Sequence, residues 1–329
     1  MRILYLSQKM TGGGASTHRE GIISGLRRRG HTVDVQEGGW PVFKARNYDW
    51  VYCRHRRLFF LPIKNLALEF NGSEAWIKKH WQGGKYLYPP INVMEKIALR
   101  FPRVIFAVSE PCTKQLPKAV LNPNGVDLDV FKPMDATKKR EELGYSQEDV
   151  VVGFFGSFGP WHGIEGFGSA AGWTPQRFKF LLVGDGVKRK EAEKTFPIDR
   201  TTFLGMVEKS KIPELMNVCD VLVMPTIANP DGTEFFGSPT KLWEYMAVGK
   251  TILASRIGAG KILTDKDAIL YDELLAKDII RASRVKLSAR HKAVSWLDRA
   301  RTIENALLTT EKPGLLKMLA RRIAEHVFP

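Results

Sequence analysis

Cysteine is scarce. Cys53, Cys112 and Cys219 are the three in 329 residues, too widely spaced for a disulfide framework or a metal knuckle. A reducing, cytoplasmic setting is therefore expected. No apolar run reaches membrane-spanning length, and Met1–Met10 turns polar after Ser7, unlike a signal peptide. No repeat of solenoid period and no low-complexity tract is present. Acidic residues are in deficit: 35 Asp and Glu face 50 Lys and Arg, a net charge of +15. The surplus is uneven, with about 21 basic against about 11 acidic residues in 1–135. Such an excess implies anionic partners, namely nucleotide phosphates, nucleic acid or an acidic membrane surface.

What is present is globular, with 44% hydrophobic and 26% charged residues. The length suggests two domains of ordinary size. Arg2–Ser7 reads as a buried strand. A glycine loop follows (Gly12, Gly13, Gly14), then an amphipathic helix over about Thr17–Arg29 and a strand at His31–Val35. Strand, glycine loop, helix and strand open a doubly wound parallel sheet. Further strands are expected at Trp50–Cys53, Leu66–Phe70, Val104–Val108 and Ala119–Leu121, a loop at Tyr86–Pro90 and a helix at Val93–Arg100. Asn122–Asp127 is dense in turn residues, and the charged Asp135–Glu148 suits a linker. The same opening then recurs: strand Val150–Phe155, the loop Gly156–Gly163 and a helix, with strands at Phe178–Val183, Thr201–Leu204, Val221–Met224 and Thr251–Ala254. The expected α/β architecture is two Rossmann-like, doubly wound domains facing each other across a cleft.

One stretch carries the chemistry most directly, DGTEFFGSPTKLWEYMAVGK at Asp231–Lys250. Ser238 before Pro239 predicts a helix start, with serine as cap and proline in the first turn; Gly249 ends the helix. Lys241 sits in that first turn and Glu244 one turn on. Free N–H groups, a positive dipole end and a lysine suit a diphosphate, and the carboxylate suits sugar or ribose hydroxyls. A plain helix start with surface charges explains the same residues.

The ordered series GGGAS, NPNGVD, GSFGPWHG, LLVGDG, TFLGMV, CDVLVMPT and SPTKLWEYMAVGK resembles the retaining GT-B glycosyltransferases of family 4, from Met1 to about Ala306. The resemblance implies a Rossmann-like acceptor domain over 1–140 and a nucleotide-sugar donor domain over 141–306. It also implies a hexosyltransferase of glycan biosynthesis, transferring from a nucleotide-diphosphate sugar without metal or other cofactor. Carried over residue by residue, Gly13 and Gly14 would close over the donor phosphates, and Gly184 would border the donor. Met206 and Val207 would meet the base, Gly237, Ser238 and Pro239 the sugar and phosphate, and Glu244 the ribose. The family's two phosphate cations read here as Ser157 and His162, which leaves Lys241 as the expected substitute. The first of two family glutamates aligns with Glu234 only by admitting two extra residues. No N-domain histidine follows Leu66–Phe70, where Asn71 and Ser73 stand instead. The catalytic candidates are thus Glu234, Lys241 and Asn71. His18, early in the first helix, is expected to cap or pack.

Two readings compete with transfer: a nucleic-acid-binding protein, motivated by the charge, and a nucleotide-sugar-binding protein with a decayed site, motivated by the missing cations. The basic residues are not interleaved into a nucleic-acid recognition module, and neither glycine loop is a dinucleotide fingerprint. Two basic segments remain, Arg54–Lys64 and Lys312–Phe328. The second is amphipathic and forms a separate C-terminal element over 307–329. Either it docks by its apolar face on the N-terminal domain, or with Arg54–Lys64 it seats the enzyme peripherally on an anionic membrane beside a lipid-linked acceptor.

Overall fold

The computed structural model describes residues 1–7, 14–37, 45–54, 63–73, 88–229, 232, 237–259 and 262–310. The first half builds one sheet from β1 (Arg2–Ser7), β2 (Thr32–Glu37), β3 (Trp50–Cys53), β4 (Leu66–Phe70), β5 (Val104–Ala107) and β6 (Val120–Leu121), in the order β2-β1-β3-β4-β5-β6. The second builds another from β7 (Val150–Phe155), β8 (Phe178–Val183), β9 (Thr201–Gly205), β10 (Val221–Met224), β11 (Thr251–Ser255) and β12 (Ile269–Tyr271), in the order β12-β11-β10-β7-β8-β9. Every named pairing is parallel. The central strands are buried along their length, as strands covered on both faces must be, and so they read as continuous apolar runs.

Three helices relate the two halves: α1 (Gly14–Arg28), α2 (Thr240–Val248) and α3 (Trp296–Thr309). Trp296, Ala300, Ile303 and Leu307 recur at helical spacing. All four pack into the first domain's core with Ile3, Tyr5, Ile22 and Leu26. The chain therefore returns to its first domain through a helix capped by Ser295, whose hydroxyl accepts from the Asp298 amide. Where it crosses, it runs beside the outgoing segment: the Val126 amide donates to the Val294 carbonyl at 3.0 Å, and the Trp296 amide to the Val126 carbonyl at 3.2 Å.

Several expectations shift. The helix expected from Val93 spans Tyr88–Ala98, taking in part of the expected loop, because prolines 89 and 90 fall in its first turn, where no amide hydrogen is needed. β12 was not foreseen, since three residues give no periodic signal. The expected linker contains a helix, Thr137–Glu142, that spans the expected boundary at 140. Its Arg140 is tied to the Val218 carbonyl at 2.9 Å and to Asp220 at 3.1 Å, so it belongs to the second domain. The boundary expected at 306 falls within α3, and Lys312–Phe328 lies outside the described residues.

The approach of α3 to α1 is set by two glycines one turn apart. A Cβ on Gly21 would lie 2.3 Å from the Trp296 ring, and one on Gly25 would lie 2.6 Å from the Trp296 carbonyl oxygen. Gly25→Ala should therefore cost about 1–3 kcal/mol as overpacking against backbone. Gly166→Ala, in a helix with open space around it, should add about 0.5–1 kcal/mol. Thermal unfolding checks the pair: a midpoint lower by several degrees for the first, on the order of 2–4 °C per kcal/mol, and unchanged or higher for the second.

Candidate active site

In open parallel sheets, ligands collect at the carboxyl ends of the strands where the winding reverses, which here is between β7 and β10. The chain leaves β7 through Gly156, at φ 141°, where a Cβ would come within 2.6 Å of the Lys241 Nζ. Gly184 serves that turn from beneath: its own Cβ would lie 2.0 Å from the Gly156 carbonyl oxygen, and its amide donates to the Gly205 carbonyl at 2.7 Å. Glycine at both positions lets the loops touch and opens the floor of a cavity of about 540 Å³, a volume in the range of small-ligand sites.

Lys241 projects from the first turn of α2 over the Phe154 ring, its Nζ 4.2 Å from the ring centroid and 3.2 Å from the His162 Nδ1. Burial brings its amine down to about 7, against the opposing pull of Glu244. Burial, and then Lys241, lowers His162 to about 2, so the imidazole is neutral and its Nδ1 can accept from the lysine. Burial raises the Glu244 carboxyl to about 7, although Lys209 and Lys241 pull it down. Each of the two charges thus stands close to its neutral form near pH 7.

The other wall comes from the first domain: Ser16, Thr17 and Glu20 on α1, Arg54 after β3 and Asn71 after β4. Behind it lies Glu69, 1% exposed in the middle of a sheet. Its carboxylate accepts from the His18 Nε2 at 2.6 Å, the Tyr52 hydroxyl at 2.7 Å and the Asn71 Nδ2 at 2.9 Å, and pairs with the Arg54 Nε at 3.4 Å. Burial alone would raise this carboxyl, but His18, Arg54 and Asn71 outweigh it and bring it down to about 2. Across the mouth, the Glu20 carboxylate pairs with Lys209 at 3.0 Å.

The cavity brings together Ser157, His162, Met206, Val207, Gly237, Ser238, Pro239, Lys241, Glu244 and Asn71. Gly184 supports it without lining it, and Gly14 is the first residue of α1. Gly13 and Glu234 lie outside the described residues. Ser238 does not cap α2. Pro239 occupies the cap position, because the Ser238 hydroxyl is taken by the Asn124 amide at 3.0 Å and the Trp243 indole at 3.3 Å. His18 does not cap either: it is 1% exposed, packed edge-on against Trp296 and bonded to Glu69 and Asn124. Sequence reasoning missed Glu69 and Asn124. A lone carboxylate inside the apolar strand LALEF was the available signal for the first.

Two doubly wound parallel sheets with a cavity of this size between them define a GT-B fold. Residues 149–284, within the second half, match the family model described as Glycosyl transferases group 1. A 2-deoxystreptamine glucosyltransferase of Streptomyces kanamyceticus is 27% identical over 190 residues, 52% of this chain. The chain spans about half, 47%, of that relative's length. Among solved structures, HepE of Anabaena in complex with UDP-glucose is similar over 99% of this chain and 100% of its own, at TM-score 0.68 and 19% identity. Sucrose-phosphate synthase of Thermosynechococcus elongatus is similar over 99% of both chains, at TM-score 0.66 and 18% identity. At such identities the likeness is one of fold.

The two shifted groups give opposite pH signatures. Lys241 holds its proton less well folded than unfolded, so keeping it charged costs stability in full below about pH 7, and the cost fades toward the unfolded value as pH rises. Glu244 holds its proton better folded, so its cost is absent below the ordinary carboxylate range and full above about pH 7. Lys241→Met should therefore raise the unfolding midpoint more at about pH 6 than at about pH 9, and Glu244→Gln more at about pH 8 than at about pH 5. Unfolding midpoints recorded across that range check both. Equal gains at all pH values would contradict the assignment.

Proposed function

We propose that the chain is a retaining, metal-independent glycosyltransferase that moves a hexose from a nucleotide-diphosphate sugar to a glycan or lipid-linked acceptor. The observation that carries this is Lys241. It is a lysine in the first turn of α2, at the carboxyl ends of β7 and β10, lowered toward neutrality where a diphosphate would restore its charge. Breaking a sugar–diphosphate bond builds negative charge on the leaving group. The helix start at Ser238–Lys241 and the Lys241 ammonium are arranged to stabilise that charge. His162 accepts from the lysine and keeps its head group in the cavity. Glu244 suits paired ribose hydroxyls, because a carboxylate only accepts. Met206 and Val207, at the rim after β9, suit the base through their backbone. Asn71 belongs to the acceptor side, and Glu234 is assigned to the donor sugar on the resemblance of its motif.

Metal independence rests on the resemblance of the ordered motifs. Retention draws support from the motif order. In that course the leaving phosphate takes the acceptor's proton, and no glycosidase-like carboxylate pair is required.

A thermal-shift screen of UDP-, GDP- and ADP-linked hexoses tests the reading, since a true donor stabilises the fold by mass action. UDP-glucose is the first choice, being the ligand of the Anabaena structure. Lys241→Ala should weaken the stabilising donor's binding by roughly ten- to hundredfold, the loss of a charge-assisted contact worth about 1.5–3 kcal/mol, with the fold intact. Unchanged affinity sinks Lys241 as the phosphate cation. Silence across the whole panel sinks the donor reading.

The acceptor side leads to the membrane. No helix among the described residues is long and apolar enough to cross one. A peripheral seat on a cytoplasmic, anionic surface would draw on the basic segments Arg54–Lys64 and Lys312–Phe328. Each basic residue at such a surface contributes about 1 kcal/mol. Co-sedimentation with anionic vesicles should then fall with salt and with removal of 315–329. A protein left in the supernatant at low salt has no such seat.

A further inference from the structure

Glu69 touches nothing the donor chemistry needs, yet four donors converge on it. A carboxylate is acceptor-only, with about four lone-pair positions, so the match is complete. Two of those donors, Arg54 and Asn71, line the cavity. A third, His18, leads out of the domain. Its Nδ1 meets the Asn124 Oδ1. The Asn124 side chain donates to the Ser238 carbonyl and to the Thr240 Oγ1 at 3.2 Å. A carbonyl only accepts, so the Asn124 amide is oriented with its oxygen toward His18. Both nitrogens of the His18 ring therefore face acceptor oxygens. From Ser238 the run continues to the Trp243 indole. One unbroken line of hydrogen bonds joins β4 of the first sheet to α2 of the second.

We propose that Glu69 and His18 are positioning residues, a buried hydrogen-bonded pair that sets Asn71 and Arg54 on one wall of the cleft against the first turn of α2 on the other. The pair acts through its neighbours, and neither residue lines the cavity. Only the kinetic part of the proposal rests on glycosyl transfer.

Glu69→Gln tests it. The substitution keeps size but turns one oxygen into a donor, which must face either the Asn71 and Arg54 side or the His18 and Tyr52 side. The Trp243 indole N–H resonance, assigned with Trp243→Phe, reads the far end of the line with no substrate present. The expected result is a displaced indole resonance and Asn124 amide exchange faster by roughly tenfold or more. With the donor from the screen, kcat should fall at least about tenfold, while the affinity for the matching nucleoside diphosphate, UDP, GDP or ADP, stays within about threefold. A folded Glu69→Gln protein with an unmoved indole and unchanged Asn124 exchange overturns the proposal. So does a loss of diphosphate affinity in step with kcat, which would make the pair a general support of the fold. Should Glu69→Gln not fold, His18→Gln carries the same readouts, since Glu69 then keeps Tyr52, Asn71 and Arg54. A wild-type chain that binds no nucleotide sugar defeats the transfer reading, and the indole still decides the positioning.

Discussion

The return of α3 to the first domain is the contact on which the cleft depends. Trp296 lies on α1 where Gly21 and Gly25 present bare backbone, and the side chains behind it fill the core beside β1. Because the segments at Val126 and Ser295 pair as they cross, the two domains share a double connection. Two short, paired crossings restrict relative rotation far more than a single chain would. Arg299, one turn into α3, ties this joint to the donor side: it donates to the Asn124 carbonyl at 3.1 Å and stacks 4.9 Å from the Trp243 ring centroid. The same few residues thus hold both the domain interface and the start of α2.

That arrangement explains where the cavity sits. Strand ends in each sheet leave backbone and loop residues facing the crevice, and the joint brings the two sets within reach of one small ligand. The cavity's polar groups come from eight separate stretches of chain. The second domain offers a lysine, a neutral histidine and a carboxylate near neutrality. The first offers Asn71 and Arg54, anchored from behind by Glu69. Burial is what tunes both sides, but with opposite outcomes. Lys241 and Glu244 have too few partners to offset desolvation and drift toward their neutral forms. Glu69 is better partnered and stays ionised. The first pair is poised to change with a ligand, and the second is built to stay as it is.

Much of the fold was legible in the sequence, because its elements are locally encoded. Runs such as LALEF or VLVM are too apolar and too short for anything but strands buried on both faces, and Gly249, at φ 77°, ends α2 as its type requires. The motif order fixed the pairing of two doubly wound units. Lys241 and Glu244 could be named in advance for a similar reason: a helix start and its first turns are short-range features. What only the tertiary structure decided depends on partners far along the chain. Ser238 looks like a cap until Asn124, 114 residues away, claims its hydroxyl. Lys241 finds His162 across 79 residues, and the environment that lowers its amine exists only once Phe154 and His162 close around it. Glu69 reads as an oddity in a strand, and its four donors are assembled by the fold. Local propensity is a property of neighbouring residues and survives in sequence. Hydrogen-bond partners and desolvation are properties of the packed chain, and they appear only when it folds.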